Sequence, residues 1–471
     1  MKNLRHWLPA ALILLLGGCH TAAPPAVELL SDTYGPANRE ATDRMLAGLK
    51  ELKLRDAQEI AVLNNQNYLA AGQAVYAAKM RYYQSLGAFL PQITAGTDAG
   101  QHLNWHNHLE NQLMDEPGRR YNFTSMTNVT ASWLLFDGLG REFAMLARES
   151  GFRREMAMEM KTKCMLRRAV AYAYFDWQLA AEIDRIQQDN RQFQQTMRQE
   201  AETGFEAGRR VRDEVLNFQL QQGFAQTDII QARYQQEIAG YALAQLMGYA
   251  EGRLPAHLEL TGLEGNLRPI PYSADLCLDI ALHNSPIMHI MEETLKMAEY
   301  EKYRSYSAFS PQIYAYSQFD YAASSSRYQD FRFDRNYYDG PGVSYGVRAE
   351  WMIFNGFARY NAMREQQAAY AATRYRMAET YLEIVNDILA GYAWYQSCLE
   401  QAKVYRELLA AAREQRELVV ERYRQRDESV DRVDRAQSNL IQAQTRYAEL
   451  VTNMKKAVAQ LEAIMMIDIF E

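Results

Sequence analysis

Phe89-Leu90-Pro91-Gln92-Ile93 returns as Phe309-Ser310-Pro311-Gln312-Ile313, 220 positions later. Trp133-Leu134-Leu135-Phe136-Asp137-Gly138 returns as Trp351-Met352-Ile353-Phe354-Asn355-Gly356, 218 positions later. The second offset also pairs Arg141 with Arg359, Tyr174 with Tyr392 and Asp213 with Asp431. An offset held over about 80 residues marks an internal duplication. Each half reads as helix, two strands, long helix, turn, helix. Pro91 and Pro311 cannot continue a helix, because proline lacks the N–H and clashes with the preceding turn. Each therefore marks a switch from helix to strand. Gly138 and Gly356 mark the return, where the backbone must bend sharply.

Between those marks the side chains alternate with period two. Phe123, Ser125, Thr127, Val129, Ala131, Trp133 and Leu135 share one face of a strand. Val343, Tyr345, Val347, Ala349, Trp351 and Ile353 share one face of another, opposite Ser344, Gly346, Arg348 and Glu350. The expected strands are about 92–105, 122–136, 312–328 and 342–354. The pattern fits a transmembrane β-strand with a polar lumen face. It also fits a soluble hairpin buried on one face. Four strands cannot close a barrel, and open edges are forbidden in lipid. If these strands span, several copies of the chain must pool them. The outward tips are then His106–Arg120 and Gln329–Asn336.

The rest reads as helix. One tract is predicted from about Ala41 to Ala88, and another from Leu139 to about Thr203. The second would reach about 100 Å at 1.5 Å per residue. Gly204 and Gly208 end it, and a helix from Asp213 to Tyr249 follows. The first repeat is residues 41–249, the connector 250–271 and the second repeat 272–471. Sparse apolar stripes on Gln-, Ala- and Arg-rich helices suggest coiled-coil packing. No run of 18 apolar residues exists to span a bilayer as a helix, and mean hydropathy is -0.41, which excludes a polytopic helical membrane protein. With 51 basic against 58 acidic residues, net -7, nucleic acid is an improbable ligand.

The N-terminus carries a targeting signal over residues 1–18: Lys2 and Arg5, then the short apolar run Leu8–Leu16. Leu16-Gly17-Gly18-Cys19 resembles a bacterial lipobox, in which the cysteine is lipidated (palmitate among the acyl chains) and becomes the mature N-terminus. Residues 19–40 hold Pro24, Pro25 and Pro36 and read as a lipid-anchored tether.

The duplicated Phe-x-Pro-Gln-Ile motif, the aromatic-hydrophobic-Phe-Asp/Asn-Gly exit and the turns near Asp213 and Asp431 resemble the TolC-like outer-membrane efflux proteins, in their lipid-anchored branch. The resemblance covers most of the mature chain. It implies a mainly α fold with a membrane β-barrel part, assembled as a trimer. Four strands per chain would make one 12-stranded barrel on a long periplasmic α-helical barrel. His20 follows the cysteine, which in enteric-type sorting permits transfer to the outer membrane. The resemblance further implies a passive exit channel for an inner-membrane pump and a periplasmic adaptor protein. A duct for type I protein secretion is the alternative, and genomic neighbours would separate the two.

Tyr423–Asp434 matches the family's periplasmic tip, where acidic residues narrow the aperture. Asp431 and Asp434 are three apart and share a helix face. Six such carboxylates around a three-fold axis would form a gate. Gly208, Arg209 and Asp213 in the first turn, with Arg424 and Arg426 in the second, are the expected tip and adaptor contacts. Arg426 stands where the first turn has Gly208. Arg424, Arg426, Arg432 and Arg435 could tether neighbouring helices.

No GxSxG, Walker loop or HExxH occurs, so no catalytic constellation, cofactor or nucleotide site is expected. His102, His106 and His108 cluster without the Cys or carboxylate partners that complete a metal site. The 21 methionines read as helix packing. A coiled-coil lipoprotein without a pore would leave the paired β-segments unexplained.

Overall fold

The computed structural model describes residues 44, 46, 48–106, 118–255, 257–263, 268–328 and 335–469. The signal-like segment, Cys19 and the tether to residue 40 lie outside them. Along the chain the elements are β1 (Glu51–Leu52), α1 (Leu54–Asn64), α2 (Gln66–Leu86), β2 (Gln92–His106), β3 (Gly118–Phe136), α3 (Gly140–Glu206) and α4 (Arg212–Leu246). They continue as β4 (Glu259–Leu260), α5 (Ala274–Asn284), α6 (Pro286–Ser307), β5 (Gln312–Tyr328), β6 (Arg335–Glu350), α7 (Ala358–Gln425) and α8 (Val430–Met465). The chain divides into two compact units that cut across the repeats: residues 1–66 with 169–263, and 67–168 with 264–471.

In the first unit β1 pairs in parallel with β4. The Tyr174 hydroxyl holds the pair, lying 2.8 Å from the Leu52 carbonyl and 3.3 Å from Thr261 Oγ1. Gln178 adds a 2.6 Å bond to the Thr261 carbonyl. The single helix expected from about 41 to 88 is interrupted among the described residues, by β1 at Glu51–Leu52 and again between α1 and α2. The second break falls at Asn65, whose extended backbone caps α1 while its side-chain amide donates to the Leu246 carbonyl at 2.9 Å. A tertiary acceptor has here overridden helical continuity, as local propensity is a weak constraint.

The second unit holds the antiparallel sheet, in strand order β2-β3-β5-β6. The fourth strand, expected over 342–354, runs over 335–350. Its last ladder partner is Gln312, and Pro311 before it offers no N–H, so pairing ends at Glu350. The strand also takes in Arg335 and Asn336, which shortens the expected loop. β3 likewise begins at Gly118 rather than at 122. In the same unit, Cys277 and Ala281 of α5 pack with Ile388 and Tyr395 of α7 and Leu461 and Met465 of α8 in one buried cluster.

The backbone repeats more faithfully than the side chains. Left-handed residues recur 218 apart: Gly138 with Gly356, Leu139 with Phe357, Gly208 with Arg426, and Gly248 with Met466. Where the residue is not glycine, this conformation costs roughly 1–2 kcal/mol. The duplicated geometry is retained despite that cost.

Candidate functional site

The sheet wears its polarity inside out relative to a soluble hairpin. On one face Ile93, Val347 and Tyr345 are 72%, 69% and 81% exposed, and Phe123, Val129, Trp133, Phe319 and Val343 are exposed beside them. On the other face the central-strand residues Asn128, Thr130, Gln318 and Asp320 are polar yet half-buried. The strand glycines Gly96, Gly100, Gly340, Gly342 and Gly346 all lie on that polar face. Neighbouring side chains lean across three of them. A Cβ at Gly342 would come within 2.6 Å of the Asp320 carboxylate, at Gly96 within 2.9 Å of Asn128, and at Gly346 within 3.0 Å of the Tyr316 hydroxyl. Water would not reward an apolar face of this size, whereas hydrocarbon does.

Aromatic residues bracket that face. Trp133 lies near one end and Phe123, in register with Ser325 and Tyr337, near the other. Ten residues at roughly 3.3 Å each, tilted about 40°, rise by about 25 Å, the height of the apolar band of an outer-membrane barrel.

Where strand returns to helix, each repeat closes with the same clasp. Trp133 Nε1 donates to the Phe89 carbonyl at 2.8 Å, and Trp351 Nε1 to the Phe309 carbonyl at 3.1 Å. Arg141 reaches the carbonyls of Leu134 (2.5 Å), Leu135 (3.1 Å) and Ala88 (3.4 Å). Arg359 reaches those of Ile353 and Ala308, both at 2.9 Å. Each guanidinium lies over the neighbouring phenylalanine ring, Phe89 at 5.1 Å or Phe309 at 5.3 Å. Asp137 accepts from the backbone N–H of Gly140 (3.2 Å) and Arg141 (3.0 Å), and its carboxylate lies 3.6 Å from Arg141 Nε. Asn355 plays the same part with one bond, from Arg359 N–H at 3.3 Å. Pro91 and Pro311 sit one residue before β2 and β5. Gly138 and Gly356 both have positive φ, at 71° and 66°. A Cβ at Gly138 would also collide with Ser310. Sequence analysis noted the Trp and Arg pairs as repeat landmarks. The acceptors that close each clasp onto the preceding helix end, the carbonyls of Phe89, Ala88, Phe309 and Ala308, lie 42–53 residues away in the chain, so that bonding was not legible there.

The helical turns are also duplicates. Gly208 N–H bonds the Phe205 carbonyl (2.9 Å) and Arg209 N–H the Gly204 carbonyl (2.8 Å). Arg426 N–H bonds the Tyr423 carbonyl (3.1 Å) and Asp427 N–H the Arg422 carbonyl (2.9 Å). Both are Schellman closures, one on glycine and one on arginine in the left-handed region. Asp213 and Asp431 are exposed in the first turns of α4 and α8, where the helix dipole favours an anion. Asp434, one turn further, is half-buried. Arg209, Arg424 and Arg426 are exposed. One feature went unread in the sequence: Arg210 pairs with Glu214 at 3.1 Å, while the equivalent positions pair with charges exchanged, Glu428 with Arg432 at 3.8 Å. Glu428 also lies 3.8 Å from Arg422.

His102 projects on the polar strand face, His106 ends β2, and His108 lies outside the described residues. Among the described residues no group of three or more His, Cys, Asp or Glu side chains could hold a metal ion. No described helix is long and apolar enough to cross a membrane.

Comparison with solved structures gives close agreement in fold at low sequence identity. The outer-membrane channel OprN matches with a TM-score of 0.72 at 15% identity, over 93% of this chain and 95% of that one. CmeC of Campylobacter jejuni, an outer membrane channel, matches at 0.71 and 14%, over 88% and 85%. The outer membrane protein VceC of Vibrio cholerae matches at 0.70 and 14%, over 88% and 95%. No curated protein sequence matches. The sequence profile described as "Outer membrane efflux protein" matches residues 58–249 and 277–465, one stretch in each repeat. An inside-out four-stranded sheet, set in a duplicated frame of long helices and matched by that profile over most of its length, makes this chain a member of the outer membrane efflux protein family, a channel rather than an enzyme.

Proposed function

We propose that three copies of this chain form the outer-membrane exit channel of a tripartite efflux system. Each copy contributes four strands to a 12-stranded barrel, and the long helices extend it into the periplasm. Cys19 anchors the assembly in lipid. An inner-membrane pump supplies the energy and a periplasmic adaptor joins pump to channel. The observation that carries this reading is the sheet, whose exposed face is apolar and whose outer strands β2 and β6 both end in open edges. Unpaired edges cannot persist in hydrocarbon, and pairing β6 of one copy with β2 of the next removes them all.

At the far end, Asp431 and Asp434 narrow the tip, and Gly208, Arg209, Asp213, Arg424 and Arg426 meet the adaptor. Repulsion among carboxylates crowded around one axis favours bound cations there. The test is the mass of the detergent-purified protein together with conductance in planar bilayers. Three chains and discrete channels are expected. A folded monomer without channel activity overturns the proposal.

A further inference from the structure

The two β-hairpins share one register. Gln92 stands opposite Ser132 in the first and Gln312 opposite Glu350 in the second, so β2 maps onto β5 by 220 positions and β3 onto β6 by 218. The same two displacements carry the seam between the repeats onto the open edges of the sheet. Within the chain β3 meets β5 with Trp133 opposite Ala315, Thr130 opposite Gln318 and Asn128 opposite Asp320. Displaced, these pairs set β6 of one copy against β2 of the next. Trp351 then stands opposite Ala95, Arg348 opposite Asp98 and Gly346 opposite Gly100 of that next copy.

Two features of the open edges support this register. Leu134 and Phe136 ladder with Tyr314 and Ile313 of β5, whereas their counterparts Met352 and Phe354 lie beyond the end of β6. Ile353 and Phe354 are 78% and 71% exposed, against 43% and 41% for Leu135 and Phe136. What the second copy of the motif lacks is the neighbouring strand. The other feature is charge. Arg348 and Asp98 are exposed, both on the polar face of the sheet, at the position where the internal seam has neutral Thr130 and Gln318. Opposite charges directly across a strand pair attract, and like charges there are penalised.

We propose that Arg348 of each copy pairs with Asp98 of the next, that this pair fixes the register of the seam between copies, and that the added strand completes β6 through Phe354. The inference rests on the channel assembly proposed above. Within one chain Arg348 lies 3.6 Å from Glu350, with both side chains exposed, and is free to turn to a second carboxylate. A slip of one residue would exchange the two faces of the strand. A slip of two would set Glu350 against Asp98 in one direction and Gly346 against it in the other, so the ion pair survives in one register alone.

Cysteine pairs in the full-length, detergent-extracted protein test this. Asp98→Cys/Arg348→Cys and Ala99→Cys/Val347→Cys are the in-register pairs. Wide and close cross-strand positions alternate, so one of the two has the closer spacing. Asp98→Cys/Glu350→Cys is displaced by two residues, which separates the partners by roughly 7–8 Å, beyond the reach of a disulfide. Oxidation should link chains into dimers and trimers for at least one in-register pair and leave the displaced pair at the background of the unaltered chain. Linkage of the displaced pair, or of none in a protein whose mass is three chains, overturns the register. A monomer by mass overturns the channel assembly instead. Asp98→Arg and Arg348→Asp should each lower the temperature at which the trimer dissociates, and the two together should restore it. Absence of that recovery overturns the ion pair.

Discussion

Replacing Arg141 with alanine should destabilise the sheet-to-helix junction more than replacing Arg359, although the two clasp geometries are nearly superimposable in kind. Arg141 donates to three carbonyls, lies over the Phe89 ring and stands 3.6 Å from the Asp137 carboxylate. The pair is well shielded, with side chains 11% and 10% exposed. Arg359 has two carbonyls and the ring but faces neutral Asn355 instead. Net contributions of about 1 kcal/mol per bond and about 0.5–1 kcal/mol for the ring give roughly 2–3 kcal/mol for the common part. Stranding a shielded carboxylate adds about 1 kcal/mol at Arg141 alone, a fraction of the cost at a fully buried site because Asp137 keeps two backbone donors.

The third carbonyl bond, to Leu134, adds about another 1 kcal/mol at Arg141, so the expected losses are about 4–5 kcal/mol for Arg141→Ala and about 2–3 kcal/mol for Arg359→Ala. Guanidinium unfolding of protein reconstituted in vesicles, followed by tryptophan emission, reads them, because Trp133 and Trp351 sit in the two clasps. A double-mutant cycle with Asp137→Asn isolates the ion pair and should return a coupling of about 1 kcal/mol. Zero coupling, or equal losses at the two arginines, would refute the reasoning.

Asp431→Asn with Asp434→Asn should abolish cation preference and block by trivalent cations in planar bilayers; unchanged selectivity would place the constriction elsewhere. Arg426→Gly relieves a left-handed arginine at φ 73° and should raise the unfolding midpoint, by a net of about 0.5–1 kcal/mol after glycine's own entropy cost. Burial pushes the Tyr395 phenol up to about 12, while it titrates near 10 once unfolded. Its contribution is therefore complete below pH 10 and lost as pH rises toward 12; the alkaline unfolding curve of Tyr395→Phe should lack that component. Burial likewise raises the Cys277 and Cys398 thiols, so both should resist alkylation at pH 8 in the folded protein and react once it is denatured. Cys19→Ser should eliminate fatty-acid incorporation without preventing assembly.

The features legible in the residues alone were those written locally and written twice. Prolines 91 and 311 announce the start of each hairpin, since no helix continues through them, and period-two alternation lays out the strands between. The offset of 218 carried this reading across both repeats, down to the turns at Gly208 and Arg426. What tertiary structure decided were relations between distant segments. Alternation says that two faces differ, but only the register of β2-β3-β5-β6 gathers the apolar residues of all four strands on one exposed face and the polar ones on the other. Strand β6 stops at Glu350 because its partner's ladder ends at Gln312, a fact about β5 rather than β6. The predicted first helix breaks at Asn65 because an acceptor 181 residues away takes its side chain. Arg141 and Trp133 are recognisable as repeated residues, yet their acceptors are backbone carbonyls, which no sequence pattern distinguishes. Side-chain identity reports local preference, whereas a hydrogen bond or an ion pair depends on which groups folding brings within about 3 Å.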